Sequence, residues 1–412
     1  MSIAKPQENS HRSASANLRA RLDAQFHALR RDAAASGQVY RHRGLEVRWT
    51  PLSQLRADPS FWRDLVRRAI EPNVFLEPGF ALAAVEHLDT PPPSVLSVFA
   101  AQRLVALLLG RVEGIGSGRP VSVFVAWTHP FAPLSTPLLD REFAADAVPA
   151  LMAAMRALPG APKAALFPLL PEASIAARLF ALEVASKGQS VSRLNLHARA
   201  ALIREDDEPL SIVSTGKRKE LNRQRRRLAE AGHLDYQVSS DVRDVSAAVD
   251  DFLAVERRGW KGRAGGAAAH SPATMRFMSE AVAALAGERK ARVDRLRLDG
   301  RTIAAAITLY SGDYAWFWKI VYDEEFSRYS PGVQLTVDLT DVFEADKNLS
   351  LVDSCAVADH PMIDHLWGGR IAMADWLVPL DGTISFAIAS AAERARGVSI
   401  ASVKALRNRL RR

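Results

Sequence analysis

Apolar and polar positions change period repeatedly along this chain, and the clearest change lies in its second half. From Ala291 the runs "ARVDRLRL", "TIAAAITLY" and "YAWFWKIVY" are separated by "DG" and "SGD", the signals of tight hairpins. They predict a three-stranded antiparallel meander. Apolar positions then recur at helical spacing from Val333 to Asp346, "LSLVDSC" returns to strand character, and a further strand is predicted near Met373 to Val378. Ahead of the meander lie predicted helices at Thr215 to Ala231, Ala247 to Arg258 and Pro272 to Ala286, with the Gly/Ala-rich loop "WKGRAGGAAAH" between the last two.

The first half carries a weaker version of the same order. The strand "LEVRW", a helix near "PSFWRDLVRRAI" and the turn "EPNVFLEPGF" precede strands at "SVLSVFAA", "LVALLLGRV" and "VSVFVAW". Helices at Phe143 to Leu158 and Ser174 to Lys187 flank the strand "KAALFPLL". An internal duplication follows from this order, although no residue-level repeat marks it. The fold class expected is α/β (α+β): two domains, each a mixed, mostly antiparallel sheet flanked by helices. The expected division is a polar, Ser-rich segment and amphipathic helix over 1–44, domains at 45–200 and 201–385, and a basic helix at 386–412. Leu18, Leu22, Phe26 and Leu29 form the apolar stripe of the first of those helices.

Composition narrows the picture. With 412 residues, 48% of them hydrophobic, the chain is long enough for more than one core. Lys and Arg number 54 against 46 Asp and Glu, a net charge of +8 that favours anionic partners. Cys355 is the single cysteine, which excludes an intrachain disulfide and a cysteine metal cluster. No apolar run has the length of a signal-peptide core or a membrane span, and a cytoplasmic setting is the expectation.

Candidate chemistry begins at "RYSPGVQ", residues 328–334. A helix that starts after a small-residue turn leaves its first N–H groups unpaired, and its dipole adds partial positive charge there. Gly332 allows close approach, Pro331 stiffens the turn, Ser330 offers a hydroxyl and Arg328 a full charge. On this fragment alone an ordinary turn or cap is the favoured reading, because one glycine before a helix more often serves that purpose.

With the order of elements around it, the chain resembles the GNAT superfamily of acyltransferases. The branch it resembles is the CelD-like acetyltransferases associated with cellulose biosynthesis, related to the tandem-GNAT FemAB proteins. Four stretches carry the resemblance: "EPNVFLEPGF", "FAPLSTPLL", "KRKELNRQRRRLAEAG" with "RRGWKGR", and "YSPGVQL". The resemblance implies acetyl-CoA or another acyl-CoA as donor, no metal, and a pyrophosphate site at Arg328, Ser330, Pro331, Gly332, Val333 and Gln334. It also implies a splayed backbone at Phe317, Trp318 and Lys319 that offers an N–H to the thioester carbonyl. In the first half, "PLSTP" stands where many relatives have a glycine, so that half is expected to lack a working cradle.

Direct acyl transfer needs a neutral nucleophile, donors for the oxyanion and a route for the proton. Asp353, His360 and Glu324 are the candidates for proton transfer, with Asp353 and His360 the better pair; a capping Asp353 and a surface His360 are the equal alternative. Trp260 and Lys261 are candidates for the acceptor-side wall. His360 and His365 lack the spacing of a metal motif. Trp316 and Trp318 read as sheet packing.

The helix from Lys217 to Ala231 concentrates the positive charge. It docks through Leu221 and Leu228 while lending charge to a donor or substrate; RNA-binding signatures are absent, which makes nucleic acid an unfavoured partner without excluding tRNA. The function expected is transfer of an acyl group from acyl-CoA to an amine or hydroxyl, on a small-molecule or saccharide acceptor such as an amino sugar or polysaccharide precursor. Transfer from aminoacyl-tRNA, as in FemAB proteins, and a non-catalytic basic binding protein are the alternatives. The basic C-terminal end leaves peripheral membrane contact open.

Overall fold

The computed structural model describes residues 38–89, 91–204, 213–259 and 271–410. The helix expected within 1–44 therefore lies outside the described residues.

The first half runs β1 (Gln38–His42), β2 (Leu45–Pro51), α1 (Leu52–Arg56), α2 (Ser60–Arg68), α3 (Pro78–His87), β3 (Ser94–Ala100), β4 (Arg103–Glu113) and β5 (Val123–Ala126). It continues through β6 (Leu138–Leu139), α4 (Ala144–Ala157), β7 (Ala164–Pro171), α5 (Ile175–Ala185) and β8 (Ser192–Ile203). The second half follows with α6 (Thr215–Glu230), β9 (Leu234–Ser239), α7 (Val242–Arg258), α8 (Pro272–Gly287), β10 (Ala291–Leu298), β11 (Arg301–Ser311) and β12 (Tyr314–Tyr322). It ends with α9 (Pro331–Ala345), β13 (Leu351–Asp353), β14 (Gly369–Pro379) and α10 (Thr383–Leu410).

The meander forms where the turn residues demand it. Asp299 and Gly300 both take positive φ, 47° and 77°, which is the two-residue hairpin geometry that "DG" specifies. Helix α9 then returns the chain so that β13 pairs parallel with β12, as a crossover requires. The first half repeats the arrangement: β5 and β7 are parallel, with α4 between them in sequence.

All strands join one sheet in the order β1-β2-β3-β4-β5-β7-β14-β8-β13-β12-β11-β10-β9, with β6 on the side of β4. Each half gives a strand to the other. β8 follows the first half in sequence but lies against β13, while β14 follows the second half and lies against β7. The two exchanged strands pair with each other at the centre. Neither β8 nor β9 is among the elements that the sequence pattern predicts, and the boundary expected at 200/201 falls inside β8. In β8 the alternation is broken by Asn195 at φ 51° and by the buried charge of Arg199.

Three helical layers cover the sheet. Helices α3, α7 and α8 share one core with Trp62, Phe75, Phe80, Phe277, Trp316 and Trp318, so the two halves pack against each other through it. α4 and α5 cover the outer face of the first half, and α6 and α9 that of the second. The approach of α3 to α8 requires Gly79, whose Cβ would stand 2.9 Å from the Ala284 methyl. The motif "EPNVFLEPGF" serves this interface. Glu77, fully buried, accepts from Lys290 Nζ at 2.8 Å and from Ser311 Oγ at 2.6 Å, and Asn73 Nδ2 donates to the Thr136 carbonyl at 2.8 Å. Burial pushes the Glu77 carboxyl above its usual range even with Lys290 beside it.

Candidate active site

β12 and β13 are in register only at Tyr314↔Leu351, Ala315↔Val352 and Trp316↔Asp353, where β13 stops. β12 continues to Tyr322 without it. At the same level the pairing with β11 slips: Ile307 faces Lys319 and Thr308 faces Phe317, which leaves Trp318 as the extra residue of a bulge. A strand end and a bulge together open the sheet beside Phe317, Trp318 and Lys319. A three-residue β13, where the sequence predicts a strand from Leu349 to Cys355, creates this opening.

Past Tyr322 a short 3-10 turn, Glu324–Tyr329, leads into α9. Ser330 takes a left-handed conformation, φ 50° and ψ 50°, and Pro331 begins the helix with no N–H to offer. The Gln334 amide is the one that reaches back to the Ser330 carbonyl, at 3.0 Å. The N–H groups of Gly332 and Val333 thus stand ahead of the helical ladder. Gly332 lies against the Tyr322 ring, where a Cβ would stand 3.2 Å from Cδ1. Gln334 Nε2 donates to the Tyr329 carbonyl at 2.7 Å and pins the turn to the helix. Its Oε1 is buried with no protein partner. Arg328 is exposed, its guanidinium 4.6 Å over the Tyr329 ring. The structure thus gathers all six expected pyrophosphate residues at one turn.

The basic helix α6 packs against this turn and against α9. Leu221 and Leu228 are buried, and Arg225 Nη1 donates to both Asp338 oxygens, at 2.9 and 2.7 Å. Arg223 pairs with Glu220 of its own helix, while Arg226 and Arg227 are exposed.

Opposite the bulge, Arg199 of β8 and Asp353 of β13 form an ion pair at 2.8 Å with side chains only 2% and 5% exposed. Burial alone would lower the Arg199 pKa; the Asp353 carboxylate more than offsets it and raises it. Arg199 Nη2 also donates to the Pro133 carbonyl at 3.2 Å, and Asp353 Oδ1 accepts from the Cys355 amide at 2.8 Å. With both carboxylate oxygens engaged, Asp353 holds the end of β13 in place. His360 lies further along the loop after β13, where its Nδ1 accepts from the Met362 and Ile363 amides at 3.3 and 3.4 Å. Glu324 opens the 3-10 turn, its carboxylate beside Gly259. The structure does not bring Asp353 and His360 into contact. Trp260 and Lys261 lie outside the described residues.

The sequence pattern did not indicate that the first half reaches this site. Trp318 Nε1 donates to the Phe131 carbonyl at 2.7 Å, and Lys319 Nζ sits 4.5 Å over the Phe131 ring. His129 stacks on Phe131 with ring centroids 5.6 Å apart, and its Nδ1 accepts from the Phe131 amide at 3.2 Å. Burial lowers the His129 pKa, and Lys319 adds to that effect against the opposing pull of Asp89. Because Nδ1 accepts the Phe131 amide, the ring proton is placed on Nε2. The one signal of this contact in the sequence is an isolated arginine in the apolar run "HARAALI".

The first half carries a buried carboxylate shortly before its corresponding helix. Fully buried Asp140 lies just before α4, held by Arg68 and by Arg103 at 2.8 Å, and accepts from the Glu142 amide at 3.0 Å.

Cys355, at φ 53°, follows Asp353. The residue as a whole is partly exposed, but its sulfur is densely surrounded, and burial pushes the thiol well above its usual pKa. At pH 8 its reaction with a disulfide reagent is expected to be at least about tenfold slower than that of a free thiol, since the thiolate is the reactive form. A rate equal to that of free cysteine in a stopped-flow trace excludes this environment.

A mixed sheet split between parallel neighbours beside an open helix start defines a GNAT-like fold. Residues 215–358 match the acetyltransferase (GNAT) domain family, so the second half carries a GNAT-type acetyltransferase domain. No curated protein sequence matches the chain. Among solved structures, a conserved protein of unknown function from Bacteroides thetaiotaomicron is similar at 9% identity and TM-score 0.50, over 77% of this chain and 96% of that one. FemX is similar at 9% identity and TM-score 0.49, over 77% and 94%. A tandem GNAT protein from the clavulanic acid biosynthesis pathway is similar at 14% identity and TM-score 0.42, over 82% and 99%. Among the described residues no helix is long and apolar enough to cross a membrane. Glu86, His87 and Glu280 form the one group there close enough to share a metal ion; it lies on α3 and α8, away from the split, and His87 Nε2 is 2.8 Å from Glu280.

Proposed function

We propose that the chain is an acyltransferase that binds one acyl-CoA in its second half and passes the acyl group directly to an amine or hydroxyl. The observation that carries this reading is the open first turn of α9 beside the split of β12 from β13. The donor's pyrophosphate accepts from the Gly332 and Val333 amides, with Ser330 and Arg328 at its edge. Its pantetheine arm runs along the unpaired part of β12. The thioester carbonyl meets a free N–H at the Trp318 bulge, and developing charge on its oxygen is stabilised there. Lys319 keeps that end of the split positive.

The first half supports the site without a donor of its own. Its loop at His129 to Pro133 walls the reacting end and excludes water. The CelD-like branch, a cytoplasmic setting and an amino-sugar or polysaccharide acceptor belong to the same reading.

The salt bridge from Arg225 to Asp338 bears on the tRNA alternative, because it turns a central charge of α6 inward to α9 and away from any nucleic acid. Calorimetry with acetyl-CoA is expected to give a stoichiometry of one per chain. Two sites per chain overturn the assignment of the donor to the second half alone. Binding of charged tRNA with no binding of acetyl-CoA overturns the donor and favours aminoacyl transfer.

A further inference from the structure

Across the split from the bulge, a cleft of about 550 Å³ lies between β8 and the loop that leads to β14. Leu196 and His197 form one wall; Asp359, His360, Pro361 and Asp364 are on the other. The register locates it. Ala201 pairs with Asp353, which pairs with Trp316; β8 runs against β13, and β13 runs with β12. His197 is thereby carried to the level of Lys319 and Ile320, two strand spacings or about 10 Å away, where β13 has already ended.

The two imidazoles of this cleft are held in opposite tautomers. His197 Nδ1 is 2.9 Å from the Asn195 carbonyl, which can only accept, so Nδ1 carries the proton and Nε2 keeps a lone pair. His360 Nδ1 accepts two backbone amides, so its proton is on Nε2. One wall offers a base and the other a donor. Asp359 and Asp364 bring carboxylates to the lining and Arg370 a guanidinium, so it offers hydrogen-bonding groups of both signs to a polar ligand, and Leu196 and Pro361 supply apolar surface.

We propose that this cleft, on the acyl-transfer reading above, holds the acceptor, a compact primary amine bearing hydroxyl groups, and that His197 Nε2 takes its proton. The amine first sheds its ammonium proton to solvent. Its nitrogen then bonds to the thioester carbon as the carbon–sulfur bond breaks. The proton lost from nitrogen passes to His197 Nε2, and the departing thiolate takes one proton from the imidazolium. Amine and thioester become amide and thiol, with no oxidant or metal required.

The test uses the full chain with acetyl-CoA as donor and glucosamine as the acceptor probe. Parent protein is expected to bind glucosamine by calorimetry and to release thiol when both are present. His197→Gln, which keeps a hydrogen-bond acceptor but no base, is expected to bind glucosamine within about threefold of the parent and release thiol about 100-fold more slowly. His360→Ala is expected to weaken glucosamine binding about tenfold, the loss of one hydrogen bond to a polar ligand. A His197→Gln variant with the parent rate overturns the proposal. Acetyl-CoA binding with no response to glucosamine overturns the cleft assignment and leaves the donor site standing. Glucosamine binding without acetyl-CoA binding overturns the donor reading, and with it the proton-transfer role of His197.

Discussion

Gly332→Val is expected to weaken acetyl-CoA binding by about 100-fold or more. Two amide hydrogen bonds to a charged phosphate are each worth about 1.5–3 kcal/mol, and about 1.4 kcal/mol is a factor of ten, so losing the approach to both reaches that scale. A Cβ at this position already stands 3.2 Å from Tyr322 Cδ1, and the branches of valine extend into the space ahead of the helix. The fold itself tolerates the change. Gly332 is not at positive φ, Tyr322 is 41% exposed and can yield, and valine is no worse a helix former than the glycine it replaces. Calorimetry on the variant, beside its thermal midpoint, separates binding from folding. An unchanged dissociation constant in a folded variant removes the amide cradle.

Arg199→Met is expected to cost about 3–5 kcal/mol of stability, because it strands a buried carboxylate with no counter-charge. The Pro133 carbonyl loses its donor in the same step, so the link from the first-half loop to the split loosens. The double variant Arg199→Met with Asp353→Leu is expected to recover most of the loss, since an apolar pair of similar size needs no desolvation of charge. Urea denaturation of the two variants gives the comparison. A single variant within about 1 kcal/mol of the parent means that the pair is solvated and does not anchor β13.

Part of the site was legible because its signals are local. "SPG" before an apolar helical stripe marks a helix start with spare amides, and "DG" and "SGD" mark the meander that must precede it. Those signals mark the helix start; the assignment of Gly332 and Ser330 to a pyrophosphate came from the family resemblance. His129 and Phe131 carry no such signal, and Arg199 shows only as an isolated charge in an apolar run. An arginine in an apolar strand becomes an anchor only when Asp353, far along the chain, is brought to 2.8 Å from it. Asp353 stood out as a possible base for the same reason that it is buried, its place at a strand end, but the sequence does not say that its oxygens are already engaged. His197 gave no local signal, because it lies on a strand whose alternation Asn195 interrupts.

By itself the sequence determined the periods: the hairpin turns of the meander, the strands and helices whose alternation is unbroken, the basic face of α6, and the single cysteine. Those follow from side-chain spacing and from the φ preferences of Gly, Pro, Asn and Asp, which act over a few residues. The tertiary structure alone decided that β8 and β14 change places, that β13 stops at Asp353 while β12 runs on, and that the loop from His129 to Pro133 closes on the second half. Strand neighbours and register are settled by which apolar faces can be buried together across the whole chain, and local spacing does not encode that choice.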